Sequence, residues 1–147
     1  MASVDPREEP DAQAVMVLAL ELGDRIRARN TAAAESIGLT FVQAKALDIL
    51  RRDRPISMRA LAKLAMVDPS NLTGVVDRLE GQGLVQRLPD KRDRRVTALA
   101  LTETGEERVK RYRAITRAPF VGLEPQRLRE FRSLLEAAIV GTERPNR

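Results

Sequence analysis

Cysteine and histidine are both absent from the 147 residues. Their absence removes disulfides, thiol redox sensing, cysteine nucleophiles, zinc-finger sites and imidazole acid–base chemistry together. Catalysis by Asp and Glu alone, or a carboxylate magnesium site, stays open by residue type, but no spacing suggests one. The expectation is a non-enzymatic chain with no metal and no cofactor. Aromatic residues make up only 3%, which gives little support to RNA recognition through base-stacking platforms. Long apolar runs are missing as well. The most apolar stretch, Val15 to Leu20, is interrupted at Glu21 and is far too short to span a bilayer. Met1 to Pro10 is polar, without the basic start and apolar stretch of a signal peptide, so a cytoplasmic protein is expected, with no membrane partner. No repeat or low-complexity segment occurs.

What is present is an ordinary globular balance, 43% hydrophobic and 32% charged, in a length that suits one domain around a single core. Lys and Arg total 26 against 21 for Asp and Glu, a net charge of +5. With a pI near 10.4, a polyanionic partner is favoured.

Along the chain, residues 1–11 read as a flexible arm, since two prolines and mixed charges disfavour regular structure. Val15, Leu18, Leu22 and Ile26 then share one helical face. Arg25, Arg27 and Arg29 lie off that stripe as plain helix surface, and the helix fades near Ser36-Ile37-Gly38. Thr40 and Gln43 have capping-box spacing before a helix that is apolar on several sides, from Phe41 to about Leu50. Such a helix is buried on more than one face. Arg51 to Pro55 close it.

Ser57 can cap a short third helix carrying Leu61, Leu64 and Ala65, and Ala65-Met66-Val67 makes a tight connection to a fourth. There Asp68 is placed as N-cap and Pro69 at the first helical position, with Val67 and Leu72 spaced as a hydrophobic staple. Leu72, Val75, Val76 and Leu79 form one apolar stripe, which is core. Ser70, Thr73, Gly74, Asp77 and Arg78 occupy the opposite face. Gly83 with Leu84 fits a Schellman stop. The period then changes to that of two strands, Leu84 to Arg87 and Val96 to Leu101, around the charged turn Pro89 to Arg94. Thr102 opens a helix that runs to Pro119, and Glu124-Pro125 opens a last one, carrying Leu128, Phe131, Leu135 and Ile139, that ends at Gly141.

A short helix, a tight turn into a well-capped helix and a basic two-stranded hairpin therefore stand in order. A helix-turn-helix places its second helix in the DNA major groove, with residues near its N-terminus meeting base edges. Ser70, Asn71 and Thr73 lie there, and a hairpin tip would reach a neighbouring minor groove, whose narrow stretches attract arginine. Asp77 would repel phosphate, so it is expected to pair with a nearby arginine and not to read cytosine. On its own, the loop from Asp90 to Arg95 reads as a solvated turn; within this constellation it reads as a wing.

Asp68 to Glu80 (DPSNLTGVVDRLE), then Gly83-Leu84-Val85, Asp93-Arg94-Arg95 and Leu101-Thr102-Glu103-Thr104-Gly105, resemble in order and spacing the recognition helix and "D-x-R … L-T-x-x-G" wing signature of MarR-type transcription regulators. The resemblance implies a mainly α fold with a small β-wing: a winged helix-turn-helix over 39–102, flanked by dimerisation helices over 12–38 and 103–147. It implies a homodimer on pseudo-palindromic double-stranded DNA. Arg95 would enter the minor groove, with Asp93 holding it. Arg92 and Arg94 would add groove or phosphate contacts, and Ser70, Asn71, Thr73 and Arg78 would meet bases or phosphates. Some relatives carry arginine where this chain has Gly74, which bears on sequence preference and not on DNA binding. Relatives are often released from DNA by small phenolic or other anionic aromatic ligands, though no pocket for one is legible here. Both repression and activation stay open. Two other classes are kept alongside: a winged-helix module for protein or RNA interaction without operator binding, and an enzyme using carboxylates alone.

Overall fold

A computed structural model describes residues 9–89 and 97–142. The elements run α1 (Glu9–Ser36), α2 (Phe41–Ile49), β1 (Ile56–Ser57), α3 (Met58–Ala65), α4 (Pro69–Gly81), β2 (Val85–Pro89), β3 (Thr97–Leu101), α5 (Glu103–Val121) and α6 (Pro125–Thr142). The chain divides into two compact units, Met1–Thr116 and Arg117–Arg147.

Helix boundaries in the first unit follow local hydrogen-bond chemistry. Thr40 and Gln43 form both halves of a capping box at α2. Ser57 accepts from the Ala60 amide at the start of α3. Asp68 caps α4, with Pro69 in its first turn, where the missing N–H costs nothing. Three Schellman-type closures end helices by returning two amides to the last carbonyls. Gly38 and Leu39 close α1, Gly83 and Leu84 close α4, and Met66 and Val67 close α3. The two glycines have φ of +72° and +69°, and Met66 takes the same left-handed role at φ 51°.

The core gathers α2, α3 and α4 over the sheet. Leu47, Leu61, Leu72, Val76, Leu79, Leu84 and Leu99 are fully buried, and each such leucine contributes about 1.5–3 kcal/mol of hydrophobic stabilisation. Helix α2 buries Gln43, Ala44, Ala46 and Leu47 on a wide arc, as its apolar sides require. The staple pair behaves as expected, with Val67 packed against the core and Leu72 inside it. Leu64, on the same helix as Leu61, is 58% exposed.

The hairpin expected from the change of period is present as β2 and β3, paired antiparallel from Val85↔Leu101 to Pro89↔Thr97. A third strand joins it: β1 pairs with β3 through Ile56↔Leu99 and Ser57↔Ala98, giving the order β1-β3-β2. Two residues are too few to show a period, so the sequence carries no signal for β1. Strand β2 also extends through Pro89, which the sequence placed in the turn. Pro89 is the last strand residue, where a missing donor is tolerated.

Other boundaries differ from expectation too. Residues 9–11 are helical and not arm, with Pro10 in the first turn of α1, a position that does not need its N–H. Residues 1–8 of the expected arm lie outside the described residues. Helix α5 continues past Pro119 to Val121. Proline cannot donate to the carbonyl four residues earlier, that of Ile115, and Arg29 Nε donates to this oxygen at 2.9 Å. Arg29 is on the exposed helix surface, as expected, and this bond ties it to α5. Arg113 ties α5 to the end of α2, donating to the Asp48 carboxylate at 2.6 Å and to the Asp48 carbonyl at 2.8 Å.

In the second unit, Phe120 and Phe131 stack with ring centroids 6.4 Å apart. Helix α6 buries no residue and passes Gly141 to end at Thr142. Leu128, Leu135 and Ile139 are exposed there, as are Val15, Met16, Val17, Leu18 and Leu20 on α1 of the first unit. Among the described residues no helix is long and apolar enough to cross a membrane.

Candidate nucleic-acid interface

The turn between α3 and α4 and the first turns of α4 bring the predicted residues together on one exposed surface. The Asp68 carboxylate accepts from the Ser70 amide at 2.8 Å and from the Ser70 hydroxyl at 2.5 Å. The hydroxyl first, then the amide, hold the Asp68 carboxyl below its ordinary pKa, because both bonds favour the charged form. Thr73, also exposed, donates its hydroxyl to the Pro69 carbonyl at 3.3 Å. Asn71 is exposed, and its side chain has no bonding partner among the described residues. Gly74 sits one turn further, and a Cβ there would meet nothing within 4 Å.

The acidic residues of α4 are engaged from the wing. Arg87 on β2 donates to Asp77 at 2.6 Å and also pairs with Glu80. Asp77's bond is the main reason the Arg87 guanidinium holds its proton more tightly than usual. The expectation that Asp77 pairs with an arginine is therefore met, and Arg87 is the partner. Arg78 remains an exposed cation on the same helix, outside any described ion pair.

Two further cations were not picked out by sequence reasoning. Arg59 and Lys63 are exposed one turn apart on α3. With Met66, Val67 and Pro69 they line an open groove of about 430 Å³ beside the Asp68 cap. Their i, i+4 spacing was the available signal. Arg92, Asp93, Arg94 and Arg95, the predicted wing residues, lie in the segment between Pro89 and Thr97, outside the described residues.

The L-T-x-x-G segment has a structural meaning. The Thr102 hydroxyl donates to the Gly83 carbonyl at 2.6 Å and accepts from the Gly105 amide at 3.0 Å. The Thr102 amide donates to the Leu84 carbonyl at 3.1 Å. One threonine thus joins the end of α4 to the start of α5 and sets where the hairpin leaves the helices.

No group of three or more acidic residues that could hold a metal ion occurs among the described residues. Tyr112 is buried, and burial first, then the nearby Asp48 charge, raises its hydroxyl pKa above the ordinary value.

The MarR family model matches residues 39–97, which contain α2 to β2 and the start of β3. The uncharacterized HTH-type transcriptional regulator YcgE of Bacillus subtilis is 31% identical over 110 residues, covering 75% of this chain and 71% of YcgE. The chain belongs to the MarR family. The transcriptional activatory protein BadR of Rhodopseudomonas palustris is 39% identical over 79 residues, 52% of this chain, and the match spans only 45% of BadR's own length. Among solved structures, CouR from Rhodococcus jostii RHA1, bound to p-coumaroyl-CoA, aligns with a TM-score of 0.69 at 27% identity. That alignment covers 84% of this chain and 90% of CouR. The mostly helical architecture with a small antiparallel sheet is the MarR winged-helix fold.

Proposed function

We propose that the chain is a sequence-specific regulator of transcription that binds double-stranded DNA as a homodimer. One observation carries this reading: the exposed face of α4 presents Ser70, Asn71, Thr73 and Arg78 to solvent, while its two acids, Asp77 and Glu80, are paired with Arg87. That face can approach a polyanion without the repulsion Asp77 and Glu80 would otherwise exert. In this reading α4 lies in the major groove, with Ser70, Asn71 and Thr73 near base edges. Arg78, Arg59 and Lys63 meet phosphates. Arg95 enters the adjacent minor groove, Asp93 orients it, and Arg92 and Arg94 add backbone contacts.

The uncovered apolar residues of α1 and of α6 support a dimer that buries them. Its two α4 helices would lie about 34 Å apart on a pseudo-palindromic site. Such a dimer represses by covering a promoter. BadR's description as an activatory protein favours activation as the second reading.

A small anionic aromatic ligand is the proposed signal. CouR is bound to p-coumaroyl-CoA, this chain carries a net charge of +5, and it has no cysteine or histidine for thiol or soft-metal sensing.

Recovery of genomic fragments bound by the protein, followed by titration of the enriched duplex across salt concentrations, tests the DNA reading. Affinity should fall steeply with salt as counterions are released; salt-independent or absent duplex binding rejects it. For the signal, a screen of phenols and aromatic carboxylates should yield compounds that raise the melting temperature and release DNA, while mild peroxide leaves DNA affinity unchanged. Reversible release by peroxide would defeat this part.

A further inference from the structure

Within the first turns of α4, three exposed side chains carry hydrogen-bonding groups: Ser70, Asn71 and Thr73. They are not equivalent. The single hydroxyl proton of Ser70 is given to the Asp68 carboxylate at 2.5 Å, and that of Thr73 to the Pro69 carbonyl at 3.3 Å. Each oxygen keeps only lone pairs for a ligand. Asp68 is the N-cap of α4, and its carboxylate also receives the Ser70 amide, so turning Ser70 outward would cost part of the cap. Asn71 gives only its backbone amide to the helix, bonding the Asp68 carbonyl at 3.1 Å. Its carboxamide keeps both an acceptor oxygen and donor hydrogens. Gly74, next on the same face, has no side chain and open space around it, so that position does not crowd the group that Asn71 would meet.

We infer that Asn71 is the specificity-determining residue of α4 and reads adenine, its carboxamide accepting from the N6 amino group and donating to N7. This rests on the DNA-binding reading above. Adenine shows an adjacent donor and acceptor in the major groove, which a carboxamide matches with two bonds. An acceptor-only hydroxyl cannot make that pair. Arg78, seven residues on, lies on nearly the same face about 10.5 Å further along the axis. It meets phosphate there, adding affinity without choosing a base.

The test is selection from a randomised duplex library by the wild-type chain and by Asn71→Ala, Asn71→Asp and Thr73→Val, each first shown to be folded by its melting curve. Wild type should select adenine at one position of each half-site. Asn71→Ala should lose that preference by roughly 10- to 100-fold and keep preferences elsewhere. Asn71→Asp, which exchanges the donor for a second acceptor, should move the preference at that position toward cytosine, whose N4 amino group donates. Thr73→Val should keep the adenine. The assignment is overturned if Asn71→Ala selects the same bases as wild type, weakens all sequences equally, or if the preference is lost with Thr73→Val instead. If wild type enriches no sequence while still binding duplexes, base reading by α4 is wrong although DNA binding stands. If wild type binds no duplex, the DNA reading falls and the assignment with it.

Discussion

Gly105 lies directly against the carbonyl of Leu84, so that a Cβ at Gly105 would fall 1.9 Å from the Leu84 oxygen. That atom is backbone, already held by the Thr102 amide, and cannot swing aside. Gly105→Ala should therefore force α5 away from the start of β2 and cost about 3 kcal/mol. Gly74→Ala, in open space on a helix, should instead raise stability by about 0.5–1 kcal/mol. Urea denaturation of the two variants checks both signs; equal effects would mean that the close approach is not what demands glycine at 105.

The bond from Arg29 to the Ile115 carbonyl supplies what Pro119 cannot. Arg29→Ala should cost about 1 kcal/mol. In a Pro119→Ala background the helix can return its own amide to that oxygen, and Arg29→Ala should cost measurably less. A double-mutant cycle reads the difference, and additive losses would contradict the substitution of one donor for the other.

Met66 holds the left-handed turn position at φ 51° with its side chain 84% exposed. An L-residue pays about 1–2 kcal/mol for that backbone, which glycine avoids at some cost in chain entropy. Met66→Gly should raise the denaturation midpoint by an amount equal to about 0.5–1 kcal/mol. A lowered midpoint would show that the methionine side chain contributes more than the strain removes.

Arg87 is a half-exposed ion-pair partner, so Arg87→Ala should cost only about 0.5–1 kcal/mol of stability. Its effect on duplex binding should be larger, because it uncovers two carboxylates on α4. Combining it with Asp77→Asn and Glu80→Gln should restore much of the lost affinity. Fluorescence anisotropy at two salt concentrations measures this, and no recovery would mean that Arg87 itself contacts the DNA.

For the wing proposed above, Arg95→Ala should weaken operator binding by about 1–3 kcal/mol, and Asp93→Ala by less, as expected of a residue that would orient the arginine and not itself make the contact. Equal operator affinity for wild type and Arg95→Ala would remove Arg95 from the interface.

Much of the architecture was legible wherever the deciding hydrogen bonds link residues within five of one another. Thr40 with Gln43, Ser57 with Ala60, Asp68 with Pro69 and Gly83 with Leu84 mark helix ends that the structure shows. The apolar stripe of α4 and the change of period into β2 and β3 are equally local. At the site, the sequence grouped Ser70, Asn71 and Thr73 as one set. Their different hydrogen-bond commitments became visible only with rotamers in place.

By itself the sequence determined the helical segments and their caps, the polar face of α4 and the cysteine- and histidine-free chemistry, because these depend on residue type and short-range spacing. Tertiary structure alone decided that Ile56 and Ser57 pair with β3, that Arg87 answers Asp77 and Glu80, and that Arg113 reaches Asp48. It also decided that Arg29 completes the ladder opened by Pro119 and that Gly105 must lack a side chain. These depend on which distant segments the core brings together, and in a charged chain each arginine has many acids of suitable type. Only the packing of Leu47, Leu72 and Leu99 into one interior selects among them.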